Sequence, residues 1–187
     1  KRMIPFKVEA DIHGLQIASF KNDFRTTRES DNFVVAAQYC LENNIELEQA
    51  LAWMDRGINF RIMGEKNFLT LSTKAAILIK LNRFDEAKKV MEEALPMGSM
   101  LDVHQYARTL LNANQKQEAF KIYKSNYDKY PNEFTTNVGM GRAYSAQGDY
   151  KKALTHMKVA LPKASNNLYK NAVETMIKTL EEGKDIN

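Results

Sequence analysis

The chain is short of the residues that break or staple a fold. It has one cysteine, Cys40, among 187 residues, which excludes an intrachain disulfide. Its eight glycines and four prolines are too few for an all-β domain with many tight turns, and too few for disordered low-complexity sequence. No apolar run approaches the roughly 20 residues that cross a bilayer as a helix. Neither charge sign dominates: 27 Lys and Arg stand against 23 Asp and Glu, a net charge of +4. What is present is a 44% hydrophobic chain with mean hydropathy -0.49. A chain of this length buries roughly 70% of the surface that it exposes unfolded, so it can build a substantial core.

The first residue is Lys1, and residues 3–10 alternate. Ile4, Phe6 and Val8 fall on one side, Lys7 and Glu9 on the other. That period of two predicts a half-buried strand. A lone strand is unstable, so we expect it to pair with another copy or to be the last strand of an upstream domain. The chain then reads as a fragment or processed form, and the lack of a targeting segment says nothing about location. Residues 14–25 predict a helix with Ile17, Phe20 and Phe24 on one face, followed by a polar linker to Ser30.

From Ser30 onward the pattern is helical and repeats. Three second helices carry Ala87, Ala119 and Ala153, spaced 32 and 34 residues apart, each followed four residues later by Met91, Tyr123 or Met157. Each matching first helix has a small position (Ala75, Ala107, Gly141), then a large residue (Leu78, Leu110, Tyr144), then a turn residue (Asn82, Asn114, Gly148). Pro131 closes the middle repeat, because its ring cannot continue a helix. A looser copy precedes these, with Ala37 and Cys40, a turn at Asn43–Asn44, and then Ala50, Met54 and Gly57. An insertion is expected at 59–67. Small residues at helix crossings let the backbones approach, while apolar residues at i, i+3 and i+4 fill the space beside them. Each hairpin buries a face on the next, so the array needs a cap. Leu168, Ala172, Val173, Met176, Ile177 and Leu180 form the stripe of a capping helix, and residues 183–187 should fray.

These residues carry a resemblance. Gly141-Arg-Ala-Tyr144, Gly148-Asp-Tyr150, Ala153-Leu154 and Ala160-Leu161 resemble a tetratricopeptide repeat, as do Phe84-Asp-Glu-Ala87 and Ala94-Leu95. The middle copy departs, with Lys116 after the turn and Asn126 at the second small position, so looser packing is expected there. A narrower likeness rests on 5–11, 36–43 and 47–53. It resembles secreted bacterial proteins in which a β-domain of unknown function precedes a tetratricopeptide tail. That likeness implies that 3–10 is the final strand of the β-domain and favours an extracytoplasmic, periplasmic location. It transfers no functional residue.

Motifs for chemistry are scarce. His13, His104 and His156 are far apart in sequence, with no HExxH, CxxC or calcium loop, so no metal or other cofactor is expected. Cys40 occupies an apolar helix position and reads as core rather than nucleophile. Gly139-Met-Gly141 lacks the third glycine and the Lys-Ser/Thr of a phosphate loop. Trp53, Met54, Tyr123 and Tyr127 sit at helical spacing and read as core rather than as a stacking platform. Net charge is +2 over 1–29, -3 over 30–67 and +5 over 68–187. Lys121, Lys124, Lys151, Lys152 and Lys158 fall on second helices and read as a solvated face. Nucleic-acid binding would want clustered Arg among exposed aromatics, so no nucleic acid is expected.

In tetratricopeptide arrays the first helices line the inner face. Gln38, Ala76, Arg108 and Arg142 follow the small position of each first helix, and His104 and Gln105 precede Arg108 by one turn. Paired guanidinium groups bind carboxylates bidentately, which makes an acidic peptide a suitable ligand. The competing reading has both arginines paired with carboxylates of neighbouring helices. The Lys/Asn pattern of carboxylate-clamp repeats is absent. The expected fold is an all-α superhelix of about four tetratricopeptide-like hairpins with a capping helix and a short N-terminal strand and helix. Residues 1–29 form the lead-in and 30–187 the repeats. The expected function is a non-catalytic protein- or peptide-binding scaffold with Gln38, His104, Gln105, Arg108 and Arg142 in the groove. It involves no membrane insertion, and self-association through the strand is open to it. The alternative is an accessory tail of a larger extracytoplasmic protein whose activity lies in a missing β-domain.

Overall fold

A computed structural model describes residues 11–26, 30–59 and 66–187. The expected strand at 3–10, the middle of the expected linker and most of the expected insertion lie outside these residues. The regular secondary structure among the described residues is helical, and the chain divides into two compact units, Lys1–Lys66 and Asn67–Asn187. This division falls inside the expected insertion rather than at 29/30.

The first unit holds α1 (Ile12–Thr26), α2 (Ser30–Asn43) and α3 (Leu47–Ile58). The lead-in helix belongs with the first hairpin for an aromatic reason. Phe24 of α1 stacks on Phe33 of α2 at 4.3 Å between ring centres, and meets Trp53 of α3 edge-on at 5.2 Å. Phe20 adds edge contacts to Tyr39 and Trp53. Such pairs contribute roughly 0.5–1.5 kcal/mol each beyond area burial. Cys40 is fully buried, and burial pushes its thiol above the ordinary value, as a core cysteine requires. Arg25 and Thr26 are helical, so the linker begins later than expected.

The second unit holds three hairpins and a further helix. The hairpins are α4 (Phe68–Lys80) with α5 (Phe84–Ala94), α6 (Met100–Asn112) with α7 (Lys116–Lys129), and α8 (Phe134–Ala146) with α9 (Tyr150–Ala160). The first helices are neighbours, α4 to α6 and α6 to α8, and α7 also packs on α8. The turns explain the spacing of the turn residues. Asn82, Asn114 and Gly148 all adopt left-handed backbone, at φ 60°, 58° and 79°. In each, that residue donates to a carbonyl three back and the next residue donates to one five back, as in Asp149 N to Tyr144 O at 3.0 Å. This is the Schellman closure of a helix end. Asn44 repeats it in the first unit, at φ 53°. Asn and Gly recur because other side chains pay a steric penalty in left-handed backbone.

Four helix starts of the second unit, those of α4, α6, α9 and the last helix, carry a side-chain cap. Asn67 with Thr70 and Ser99 with Asp102 form capping boxes for α4 and α6, a device worth roughly 0.5–2 kcal/mol at the cap residue. Second helices stop at Ala94-Leu95-Pro96 and Ala160-Leu161-Pro162, where a short 3-10 turn carries the proline. The alanines at the crossings are buried: Ala75, Ala107, Ala119 and Ala153 have no accessible surface, and Ala87 has almost none. Asn126 leaves its Oδ1 buried without a hydrogen-bond partner among the described residues, in keeping with the looser packing expected of the middle repeat. Its side chain is buried and its Nδ2 donates to Met100 O at 2.8 Å, tying α7 to the start of α6.

The capping helix α10 (Asn167–Glu181) packs on α9. Val173 and Leu180 join Val138, Ala153, Met157 and Ala160 in one cluster, with Met176 and Ile177 against it. The expected stripe stops short at its start, because Leu168 is 75% exposed and Ala172 is exposed as well. Leu69 and Leu101, also second residues of their helices, are exposed in the same way. Residues 183–187 do not fray; they turn back onto α8 through hydrogen bonds to Arg142 and Ser145. Replacing Ala153 with Leu forces four-carbon bulk into a crossing without free space. We expect a loss of roughly 1–3 kcal/mol in urea unfolding, and an unchanged midpoint would contradict the crossing described.

Candidate functional site

Arg108 on α6 and Arg142 on α8 stand on helices that pack on one another and on α7. The key local feature is Gly139 in α8. A Cβ there would lie 2.5 Å from Tyr123 Cδ1, 2.9 Å from Tyr123 Cε1 and 3.2 Å from His104 Nδ1. Tyr123 of α7 is therefore seated directly on the α8 backbone, and it is fully buried. His104 of α6 meets the Tyr123 ring edge-on at 5.2 Å. Ala107, Met140 and Ala143 complete this cluster, with Phe120 and Tyr144 against it.

The electrostatics follow from that packing. Burial, then the positive charges of Arg142 and Arg108, push His104 down to about 4, against an opposing backbone hydrogen bond with Thr135. Burial raises Tyr123 to about 12, with the same two arginines pulling the other way. Arg142 lies low for a guanidinium, first from burial and second from Arg108, while Tyr123 and Asp185 oppose. His104 and Tyr123 thus each feel both arginines, and Arg142 feels Arg108. His104 Nδ1 and Tyr123 Oη are buried with no hydrogen-bond partner among the described residues.

Of the expected site residues, Arg108 and Gln105 are exposed on α6 and Arg142 is half-buried on α8. His104 is placed inside, 7% exposed, as a wall of the cluster rather than on the surface. Gln38 is half-buried on α2 and belongs to the other unit. Neither arginine has a carboxylate at ion-pair distance among the described residues. Arg142 Nη1 instead donates to Ile186 O at 3.2 Å and to Asn187 Oδ1 at 3.5 Å. Three lysines of the second helices pair locally: Lys121 with Glu118, Lys124 with Asp128 and Lys152 with Asp149. Exposed pairs of this kind contribute little, and the solvated-face reading fits them.

Sequence reasoning missed Ser145, Asp185, Ile186 and Asn187. Gly183 was the available signal. A glycine just past a helix predicts a left-handed reversal, and the observed φ of 72° makes one. Where the reversed chain lands is a tertiary matter.

Among the described residues no three or more His, Cys, Asp and Glu are grouped to hold a metal ion, and no helix is long and apolar enough to cross a membrane. The family model described as coatomer epsilon subunit matches residues 72–187, nearly the whole second unit. The mouse protein "Tetratricopeptide repeat protein 8" is 29% identical over 110 residues, which covers 52% of this chain and 21% of that protein. The chain thus spans about a fifth of the length of that relative. No solved structure matches the chain. Both matches agree with the tetratricopeptide-like repeat. Neither supports the likeness to secreted bacterial proteins.

Buried neutral His104 makes stability depend on pH. The unfolded chain takes up its histidine proton near pH 6.5 and the folded one only near 4. Stability is therefore full above pH 6.5 and falls as pH drops towards 4, by on the order of 3 kcal/mol from this group. His156, also lowered by burial, acts in the same direction. Urea unfolding of His104→Gln at pH 7 and pH 4.5 should show a smaller acid loss than the parent chain. Equal losses would place His104 in water in the folded state.

Proposed function

The chain belongs to the coatomer epsilon subunit family, and on that premise we propose that it is a non-catalytic protein-interaction scaffold whose α6–α8 face takes an extended acidic peptide. Several facts support a protein partner. The family's name describes a subunit, a component of an assembly. The fold is a stack of helix hairpins, which presents extended surface for a partner. Arg108, Arg142 and Gln105 supply the polar chemistry of that face.

One observation carries the reading. Arg108 is exposed and Arg142 half-buried, burial first and then the charge of Arg108 hold Arg142 low, and no carboxylate at ion-pair distance neutralises either among the described residues. Two like charges held together in a partly desolvated place are unfavourable alone. A carboxylate-bearing ligand relieves the repulsion and gains charge-assisted hydrogen bonds. Arg142 already donates to a peptide carbonyl, so its guanidinium is oriented for backbone as well as for acid.

Titrating the chain with a library of acidic peptides tests this. Arg108→Ala combined with Arg142→Ala should weaken the best peptide by at least about tenfold, since each charge-assisted contact contributes roughly 1.5–3 kcal/mol. Binding to the parent should also weaken as salt rises. Unchanged affinity in the double variant would overturn the assignment of this face.

A further inference from the structure

The residues after α10 show what this face holds. Gly183 N donates to Leu180 O at 3.0 Å and Lys184 N to Thr179 O at 3.1 Å, which closes the helix and reverses the chain. The segment 184–187 then lies on α8, and its contacts are specific. Ser145 Oγ donates to Asp185 Oδ1 at 2.7 Å and accepts from Ile186 N at 3.1 Å. Arg142 Nη1 donates to Ile186 O, and Asn187 Nδ2 donates to Arg142 O at 3.1 Å. Ile186 packs against the cluster of Val138, Met157 and Val173.

Each part answers a need of the helix face. Ser145 is 1% exposed, and a buried hydroxyl requires partners. The segment supplies both an acceptor and a donor. Burial works against the Asp185 carboxylate, yet hydrogen bonds from Ser145 and from Asn187 hold it below the usual range. Asn187 N and Nδ2 also donate to Asp185 Oδ1, at 3.2 and 2.8 Å, so the segment is pre-shaped by an Asx turn. The aliphatic side chain fills the apolar edge. The segment leaves Arg108 without a carboxylate partner among the described residues.

We propose that residues 185–187 are a resident occupant of the peptide site, and that the α8 face recognises an Asp-aliphatic-Asn sequence carried by a partner protein. This rests on reading the α6–α8 face as a peptide site. The tethered copy acts at an effective concentration in the millimolar range, so it competes with any partner that offers the same three residues. A partner with a further acidic residue within reach of Arg108 gains a contact that the resident lacks, and displaces it.

The probe is a fluorescein-labelled Gly-Lys-Asp-Ile-Asn amide, read by anisotropy against the full chain. Asp185→Ala with Ile186→Ser empties the site and should raise affinity by at least about tenfold over the parent. Adding Ser145→Ala should remove that gain. Equal affinity for parent and emptied chain, or no binding to an emptied chain that retains its helical circular dichroism, would overturn the inference. Binding of other acidic peptides through Arg108 and Arg142 would survive that result, which separates the two failures. Should the emptied chain unfold, the parent supplies the second readout. Excess unlabelled peptide should speed hydrogen exchange at Ile186 N, and an unchanged rate would equally overturn the inference.

Discussion

The ring of Tyr123 rests on the bare backbone of Gly139, and the organisation of the second unit depends on that contact. An α-helix normally keeps a neighbour at the distance set by its own β-carbons. With none at Gly139, α7 comes in until an aromatic face touches the helix itself. The ring then becomes the surface against which His104 packs, so one glycine sets the relation of three helices. The contact leaves two buried polar atoms, His104 Nδ1 and Tyr123 Oη, without partners among the described residues. Each such atom costs of order 1–3 kcal/mol. The fold tolerates this because the ring is fully buried among Ala107, Met140 and Ala143.

Helix α8 is the centre of this arrangement. Gly139, Gly141, Ala143, Ser145 and Ala146 make it narrow, and nearly all its surface is covered. Two internal glycines make such a helix a poor one in isolation, by nearly 1 kcal/mol each. Its stability is therefore tertiary, supplied by α6, α7 and α9 packed on it. Arg142 is the one charged residue on this narrow helix, and it lies beside Ser145 at i+3. A helix so tightly enclosed holds those two side chains in place, which is what a site for a short extended segment requires. The segment 185–187 uses both.

Much of this was legible in the sequence, because it is local. The alanines at the crossings and the turn residues Asn82, Asn114 and Gly148 announce themselves by spacing alone, and the structure gives each a packing or backbone reason. The kinship of Arg108 and Arg142 follows from the same register. What was not legible depends on long-range packing. His104 shares a helix turn with Arg108, yet it points into the cluster because Gly139 admits Tyr123 beside it. The lead-in helix joins the first hairpin through Phe24, Phe33 and Trp53, residues far apart in sequence. The docking of 183–187 depends on a buried serine 40 residues upstream of Asp185.

Gly139 is a contact surface and not a weak link. The most direct measurement is the unfolding free energy of Gly139→Ala. Helix propensity alone makes alanine better than glycine by nearly 1 kcal/mol. The seated ring makes it worse, because a Cβ 2.5 Å from Tyr123 Cδ1 displaces a side chain that has nowhere to go. A ring seated on the backbone predicts a destabilised chain, by roughly 1–3 kcal/mol, with partial recovery when Tyr123→Leu is added. A chain stabilised by Gly139→Ala would contradict it.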